Sequence, residues 1–157
     1  MKVAIDTRAV PKSGIGNYTK ILLSMLPQNG RNIEAVAVTD GLAVNRQGIV
    51  NKYMNSFRRL VFNQTQLPTF LKEQRIDLLH NPKNTGIPFS HSCKLITTIH
   101  DVIPHVYPEY YLDSLIEKVY YEIMIRMSIC CSDLILTISD FSKKELMKHY
   151  SISENKI

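Results

Sequence analysis

The chemistry available to this sequence gathers where its short apolar runs end. LITTIHD, residues 95–101, closes on His100 and Asp101. A strand ending there sets two ionisable side chains at the edge of a sheet. Histidine donates or accepts a hydrogen bond near neutral pH, which suits a sugar hydroxyl or a general acid–base step. The plainer role is structural, with Asp101 capping a turn and His100 packed under a loop. A second candidate is SGIGNY, residues 13–18. Gly14 and Gly16 carry no Cβ, so a phosphate could approach their amides, and a helix starting beside them adds partial positive charge. A simple turn into a helix needs no ligand, however. The dinucleotide fingerprint also fits poorly, because Thr19 holds the third small-residue position and seven residues separate Asp6 from Gly14.

Two further polar endings are weaker. In HNP, residues 80–82, His80 reads as support for a proline-containing loop more than as a ligand. In ISDFSKKEL, residues 138–146, helix capping explains the hydroxyls, the staple position of Phe141 and Glu145. Any contact of Ser139 or Lys143 with a ligand would be additional to that. The absences narrow the field further. No Asp-x-Asp pair, no zinc-type Cys-x-x-Cys or His-x-x-x-His, no P-loop and no Gly-x-Ser-x-Gly elbow occurs. Three cysteines, with Cys130 and Cys131 adjacent, argue against a disulfide framework and for a reduced, cytoplasmic setting.

These residues need a scaffold, and 157 residues at 45% hydrophobic and 21% charged are enough for one globular domain, 1–157. The net charge of +5 is dispersed and does not demand nucleic acid. No apolar run reaches the length of a membrane span, and no signal-peptide core opens the chain. Apolar runs predict strands at 2–6, 33–39, 77–80, 94–100 and 133–138. Between them, Ile15, Tyr18, Leu22, Met25 and Leu26 form one helical stripe, ended by Pro27 and Gly30. Asp40-Gly41 marks a turn. Pro68 opens a helix to about Gln74. Pro108 opens the longest helix, with Leu112, Leu115, Ile116, Val119, Ile123 and Met127 at helical spacing up to Cys131. A last helix starts near Ser139, with Ser142 and Glu145 spaced as a capping box. Such alternation predicts an α/β fold, a parallel sheet with helices on both faces. Ligands then belong at the loops leaving the strands after 6, 80, 100 and 138.

The segment 42–63 is the least legible. Lys52, Arg58 and Arg59 interleave with Tyr53, Met54, Phe57, Leu60 and Phe62. As a helix it puts Met54, Phe57 and Val61 on one side and the arginines on another, as an interfacial helix would. A core helix with solvated arginines is the alternative.

Four segments in one order, IDTRAVPKSGIGNY, DLLHNPKNTGIP, TTIHDVIPHVYPE and DLILTISDFSKKEL, together resemble the N-terminal half of a family 4 glycosyltransferase of GT-B architecture, close to bacterial mannosyl- and galactosyltransferase-like members. The resemblance covers nearly the whole chain. It implies a Rossmann-like, acceptor-side domain of a retaining enzyme that moves a hexose from a nucleotide sugar, without metal or other cofactor, to a glycan or lipid-linked acceptor of the cell envelope. It implies that Gly14 and Gly16 approach the donor diphosphate and that His100 lies against the transferred sugar. Asn17, Tyr18, Asp101 and Ser139 would then border the acceptor. The family's Glu-x7-Glu element and basic pair belong to a C-terminal donor-binding domain. Residues 1–157 do not contain it, so these residues alone are expected to be inactive. The implied partners are the two substrates, that second domain and, peripherally, the inner face of the plasma membrane; nucleic acid is not among them. One rival is a nicotinamide-dependent sugar-nucleotide oxidoreductase using Asp40 for the ribose. The other is a non-catalytic module that works beside a second chain and carries a large apolar patch.

Overall fold

The computed structural model describes residues 1–8, 13–26, 32–39 and 49–157, with side chains in the helix beginning at residue 49 described from Met54 onward. Five strands form one sheet: β1 (Lys2–Asp6), β2 (Glu34–Val38), β3 (Leu78–Asn81), β4 (Lys94–Thr98) and β5 (Leu134–Leu136). Their order is β2-β1-β3-β4-β5 and every pairing is parallel. Register sets Ala4 of β1 against Val36 on one side and Leu79 on the other. Right-handed crossovers place α1 (Gly14–Met25) on one face and the helices leading to β3 and β5 on the other.

That second face carries α2 (Ile49–Gln64) and α3 (Gln66–Glu73), where Phe62, Leu67 and Leu71 pack with Ala4, Leu79 and Leu95. A second cluster joins Ile99 and Ile135 to Ile125 and Ile129 of α6 (Leu115–Cys131) and Leu146 of α7 (Asp140–Tyr150). Each such buried aliphatic side chain contributes about 2 kcal/mol of transfer free energy. The sheet is the α/β arrangement expected from the sequence, and the segment 49–64 resolves as a helix.

Several local expectations are corrected. The Pro108 helix is short, α5 (Pro108–Tyr111), and follows another short one, α4 (Ile103–Val106). The chain then breaks, and Ser114 caps α6 by accepting from the Glu117 amide at 3.3 Å. The stripe expected along this stretch does not face the core: Leu115, Ile116, Val119 and Ile123 are exposed, and Met124, Ile125 and Ile129 are buried instead. In α1 the buried positions are Gly16 and Thr19, with Met25 of the expected stripe exposed. Ser139, not Ser142, caps α7, accepting from the Ser142 amide at 3.1 Å. Phe141 is 73% exposed, so no hydrophobic staple forms there. The Asp40-Gly41 turn lies outside the described residues.

Candidate functional site

The strands end in polar residues on one edge, and the loops leaving β1, β3 and β4 interlock there. The β3 loop is the centre of that arrangement. Asn81, fully buried, donates from Nδ2 to the carbonyls of Lys83 (2.8 Å) and Thr85 (3.3 Å), folding the loop back on itself. Gly86 completes the turn at φ +94, where an L side chain would be strained, and a Cβ there would lie 3.9 Å from the Lys83 ammonium. Pro82 offers its carbonyl to His100 Nε2 at 3.1 Å. Asn84 bridges to the β4 loop, accepting from the His100 amide and donating to the Asp101 carbonyl, both at 3.0 Å.

His100 is therefore held from three sides, since its own carbonyl accepts from Ser142 Oγ at 2.9 Å. Donation to Pro82 assigns the proton of the neutral ring to Nε2 and leaves Nδ1 as an acceptor. Tyr18 stands edge-on to His100 (centroids 5.6 Å) and to His80 (6.2 Å), with its hydroxyl 3.3 Å from Thr98 Oγ1. His80 is buried, and its Nε2 meets Thr98 Oγ1 at 2.8 Å. Burial, helped by the nearby His100, lowers the His80 pKa from 6.5 to about 4, so its ring is neutral at physiological pH. Asp101 Oδ1 accepts from the Ile103 amide at 3.1 Å, the turn-capping role open to it from sequence.

Beside this histidine pair lies an ionic cluster that sequence reasoning did not single out. Asp6, at the end of β1, is 1% exposed. It accepts from the Arg8 amide (3.0 Å), Arg8 Nε (2.9 Å), Arg8 Nη2 (2.6 Å) and Lys83 Nζ (2.7 Å). Burial works to raise the Asp6 pKa, but Lys83 and Arg8 outweigh it and bring it from 3.8 to about 2. The Arg8 side chain is itself buried, its guanidinium stacked 4.5 Å above the Phe62 ring. The signal was present, as a charged DTR at a strand end and PKN after another. It was unreadable because the partners are 77 residues apart.

The sequence-predicted residues divide accordingly. His100, Asp101 and Tyr18 meet at one place, and Ser139 joins them through Ser142. Gly16 is buried, and its amide donates to Ser13 Oγ at 3.1 Å, closing the α1 N-terminus. Gly14 is exposed with open space around it, and Asn17 is exposed one position before Tyr18. Lys143 pairs with Glu154 at 3.0 Å. Asp40, on which the oxidoreductase reading rested, lies outside the described residues.

Outside the strand edge, an open groove of about 410 Å³ runs between α2 and the α5–α6 region, lined by Phe57, Leu60, Ile116, Tyr120 and Tyr121 among others. Around it Met54, Phe57 and Val61 of α2 are exposed, as are Arg58 and Arg59. None of the described helices is long and apolar enough to cross a membrane.

With this geometry in place, the comparisons with known proteins are consistent. The model of the family described as Glycosyltransferase Family 4 matches residues 12–157. The chain is 24% identical, over an alignment of 180 positions covering 100% of it, to the O-antigen chain mannosyltransferase B of Escherichia coli. Over 60 residues, 38% of the chain, it is 37% identical to the O-antigen chain mannosyltransferase RfbU of Salmonella typhimurium. The chain spans 46% of the length of the first of these curated relatives, and the 60-residue match covers 16% of the second.

Proposed function

Because the chain belongs to glycosyltransferase family 4, we propose that it forms the acceptor-side domain of a retaining, metal-independent enzyme that transfers a hexose from a nucleotide sugar to a glycan or lipid-linked acceptor in cell-envelope polysaccharide synthesis. The observation that carries this reading is His100 at the carboxyl edge of a parallel sheet, clamped by Pro82 and Asn84 of the β3 loop and by Ser142 of α7. The names of both relatives, each an O-antigen chain mannosyltransferase, favour mannose as the hexose.

Transfer passes through an oxocarbenium-like sugar with negative charge growing on the leaving diphosphate. An imidazole fixed through Nε2 offers Nδ1 as a rigid acceptor for a sugar hydroxyl, a contact that costs no reorganisation as the ring flattens. Gly14, at the start of α1, supplies an approach for the diphosphate that no side chain obstructs. Asn17, Tyr18, Asp101 and Ser139 border the acceptor. The nucleotide sugar is a substrate, and no cofactor is assigned.

The exposed apolar side of α2 and the exposed first turns of α6 meet an anionic membrane surface, with Arg58 and Arg59 towards its headgroups, on the cytoplasmic side where a lipid-linked acceptor is reached.

The test of the catalytic reading is kinetic. In the protein that carries both domains, His100→Ala lowers kcat and kcat/KM together, by about a hundredfold if one transition-state contact is lost. A variant with unchanged kcat and only a raised donor KM would remove His100 from the proposed role.

A further inference from the structure

Among the described residues, the Asp6 cluster sets one carboxylate against two bonded cations, Arg8 and Lys83. Arg8 alone neutralises the carboxylate, through two side-chain bonds and its own amide. Among the described residues Lys83 is then a second cation on a carboxylate already paired, and burial lowers its pKa from 10.5 even though Asp6 opposes that shift. Arg59 on α2 is close enough to add its own repulsion at Lys83, as Arg8 does. Two cations thus bond one carboxylate at the sheet edge, and a third, Arg59, acts on Lys83 from α2. Holding a surplus charge there is unfavourable unless an anion joins it.

The placement is equally specific. Successive strands run outward from β1 in both directions, so the crevice between the ends of β1 and β3 is the point at which strand order reverses. Ligands of open α/β sheets bind at such a point. Asp6 ends β1 and Lys83 follows β3, so their 2.7 Å contact spans that crevice. The Lys83 side chain stays 22% exposed, while Arg8 is sealed at 4%. Asp6 takes one of the ammonium's three N–H donors and fixes its direction. Pro82, the preceding residue, holds His100.

We propose that Lys83, anchored by Asp6 across the β1–β3 crevice, receives a phosphate or diphosphate group of a substrate bound beside His100. The inference rests on the glycosyltransferase reading, which supplies two sources of that chemistry, the nucleotide diphosphate of the donor and the phosphate of a lipid-linked acceptor. Asp6 is on this view a positioning residue. It turns the ammonium towards the crevice and keeps it from folding back to solvent.

Binding measured by calorimetry tests this without any need for transfer, so failure of the site and failure of the transferase reading register separately. Inorganic pyrophosphate, a nucleoside diphosphate and geranyl monophosphate are titrated into wild type, Lys83→Met, Lys83→Arg and Lys94→Met. Lys94 is an exposed lysine at the opposite end of the sheet. Pyrophosphate affinity is expected to fall about tenfold or more in Lys83→Met, to stay within about threefold in Lys83→Arg, and to be unchanged in Lys94→Met. Beyond pyrophosphate, dependence on Lys83 shown by the nucleoside diphosphate and not by geranyl monophosphate assigns the donor as source; the reverse assigns the acceptor. Should Lys83→Met fail to fold, the side-chain methylene resonances of Lys83 in the wild type provide the readout, and pyrophosphate should shift them while leaving those of Lys94 in place. Wild-type and Lys83→Met affinities that agree for all three probes, absence of binding by the wild type, or an unmoved Lys83 resonance at saturation would each overturn the proposal.

Discussion

His80 shows how one buried side chain ties the site to pH. Its ring is neutral because burial and the neighbouring His100 hold its pKa near 4, against 6.5 in the unfolded chain. As pH falls from 6.5 towards 4, the unfolded chain takes up a proton that the folded ring refuses. Stability is therefore fully present above 6.5 and declines across that window, by about 3 kcal/mol at its end. For a chain of this size that is a fall of roughly 10 °C in thermal midpoint. We expect His80→Asn to flatten the decline between pH 6.5 and 4.5 in thermal melts; an equal slope in the variant would locate the sensitivity elsewhere. Asp6 acts in a separate, more acidic window. Its folded pKa of about 2 means that its contribution is present above 3.8 and is lost as pH falls from 3.8 to 2.

At the scale of elements, α6 divides into two unlike halves. Its C-terminal half buries Ile125 and Ile129 against Ile99 and Ile135. Its N-terminal half presents Leu115, Ile116 and Val119 outward, with Ile116 72% exposed. Exposed side chains of this kind contribute little to folding, so Ile116→Lys with Val119→Lys should leave the thermal midpoint almost unchanged, within about 0.5 kcal/mol per site. Arg58→Glu with Arg59→Glu should abolish co-sedimentation with anionic vesicles, since each cation near such a surface contributes about 1 kcal/mol, and Ile116→Asn with Val119→Asn, which removes apolar area without adding charge, should weaken it. Added salt should weaken the wild-type interaction. Equal recovery in the supernatant with anionic and neutral vesicles at low salt would end the membrane part of the proposal.

For the whole molecule, the parallel sheet gathers its polar strand ends on one edge, which the proposed function makes one wall of a two-domain cleft. A leaving diphosphate needs cations and dipoles around it, and a reactive sugar needs protection from water. We therefore expect residues 1–157 alone to transfer no sugar above background, in an assay with nucleotide-sugar donors. Transfer by this chain that His100→Ala abolishes would refute the expectation. We also expect a metal chelator to leave its thermal midpoint unchanged, because the packing of Leu79, Leu95, Ile125 and Ile135 supports the fold; a shift on chelation would point to a bound ion.

The sequence by itself determined the strands, because KVAID, DLLH and KLITT are short apolar runs bounded by turn residues, and local composition is sufficient for that. It also located the ligand-bearing edge, since polar residues end each of these runs, and it carried the family motifs around His100. Which side of α6 faces the core was not legible. Leu115, Ile116, Val119 and Ile123 are as apolar as Met124, Ile125 and Ile129, and periodicity alone does not say which stripe a neighbour will cover. Ser139 and Ser142 are both plausible caps, and the choice was made by the His100 carbonyl, 42 residues away, which takes the Ser142 hydroxyl. The Asp6–Arg8–Lys83 cluster and the Pro82 clamp on His100 exist only once β1, β3 and β4 lie side by side. Ion pairs and hydrogen bonds act over a few ångströms in space and leave no periodic trace along a chain, so only the tertiary structure could decide them.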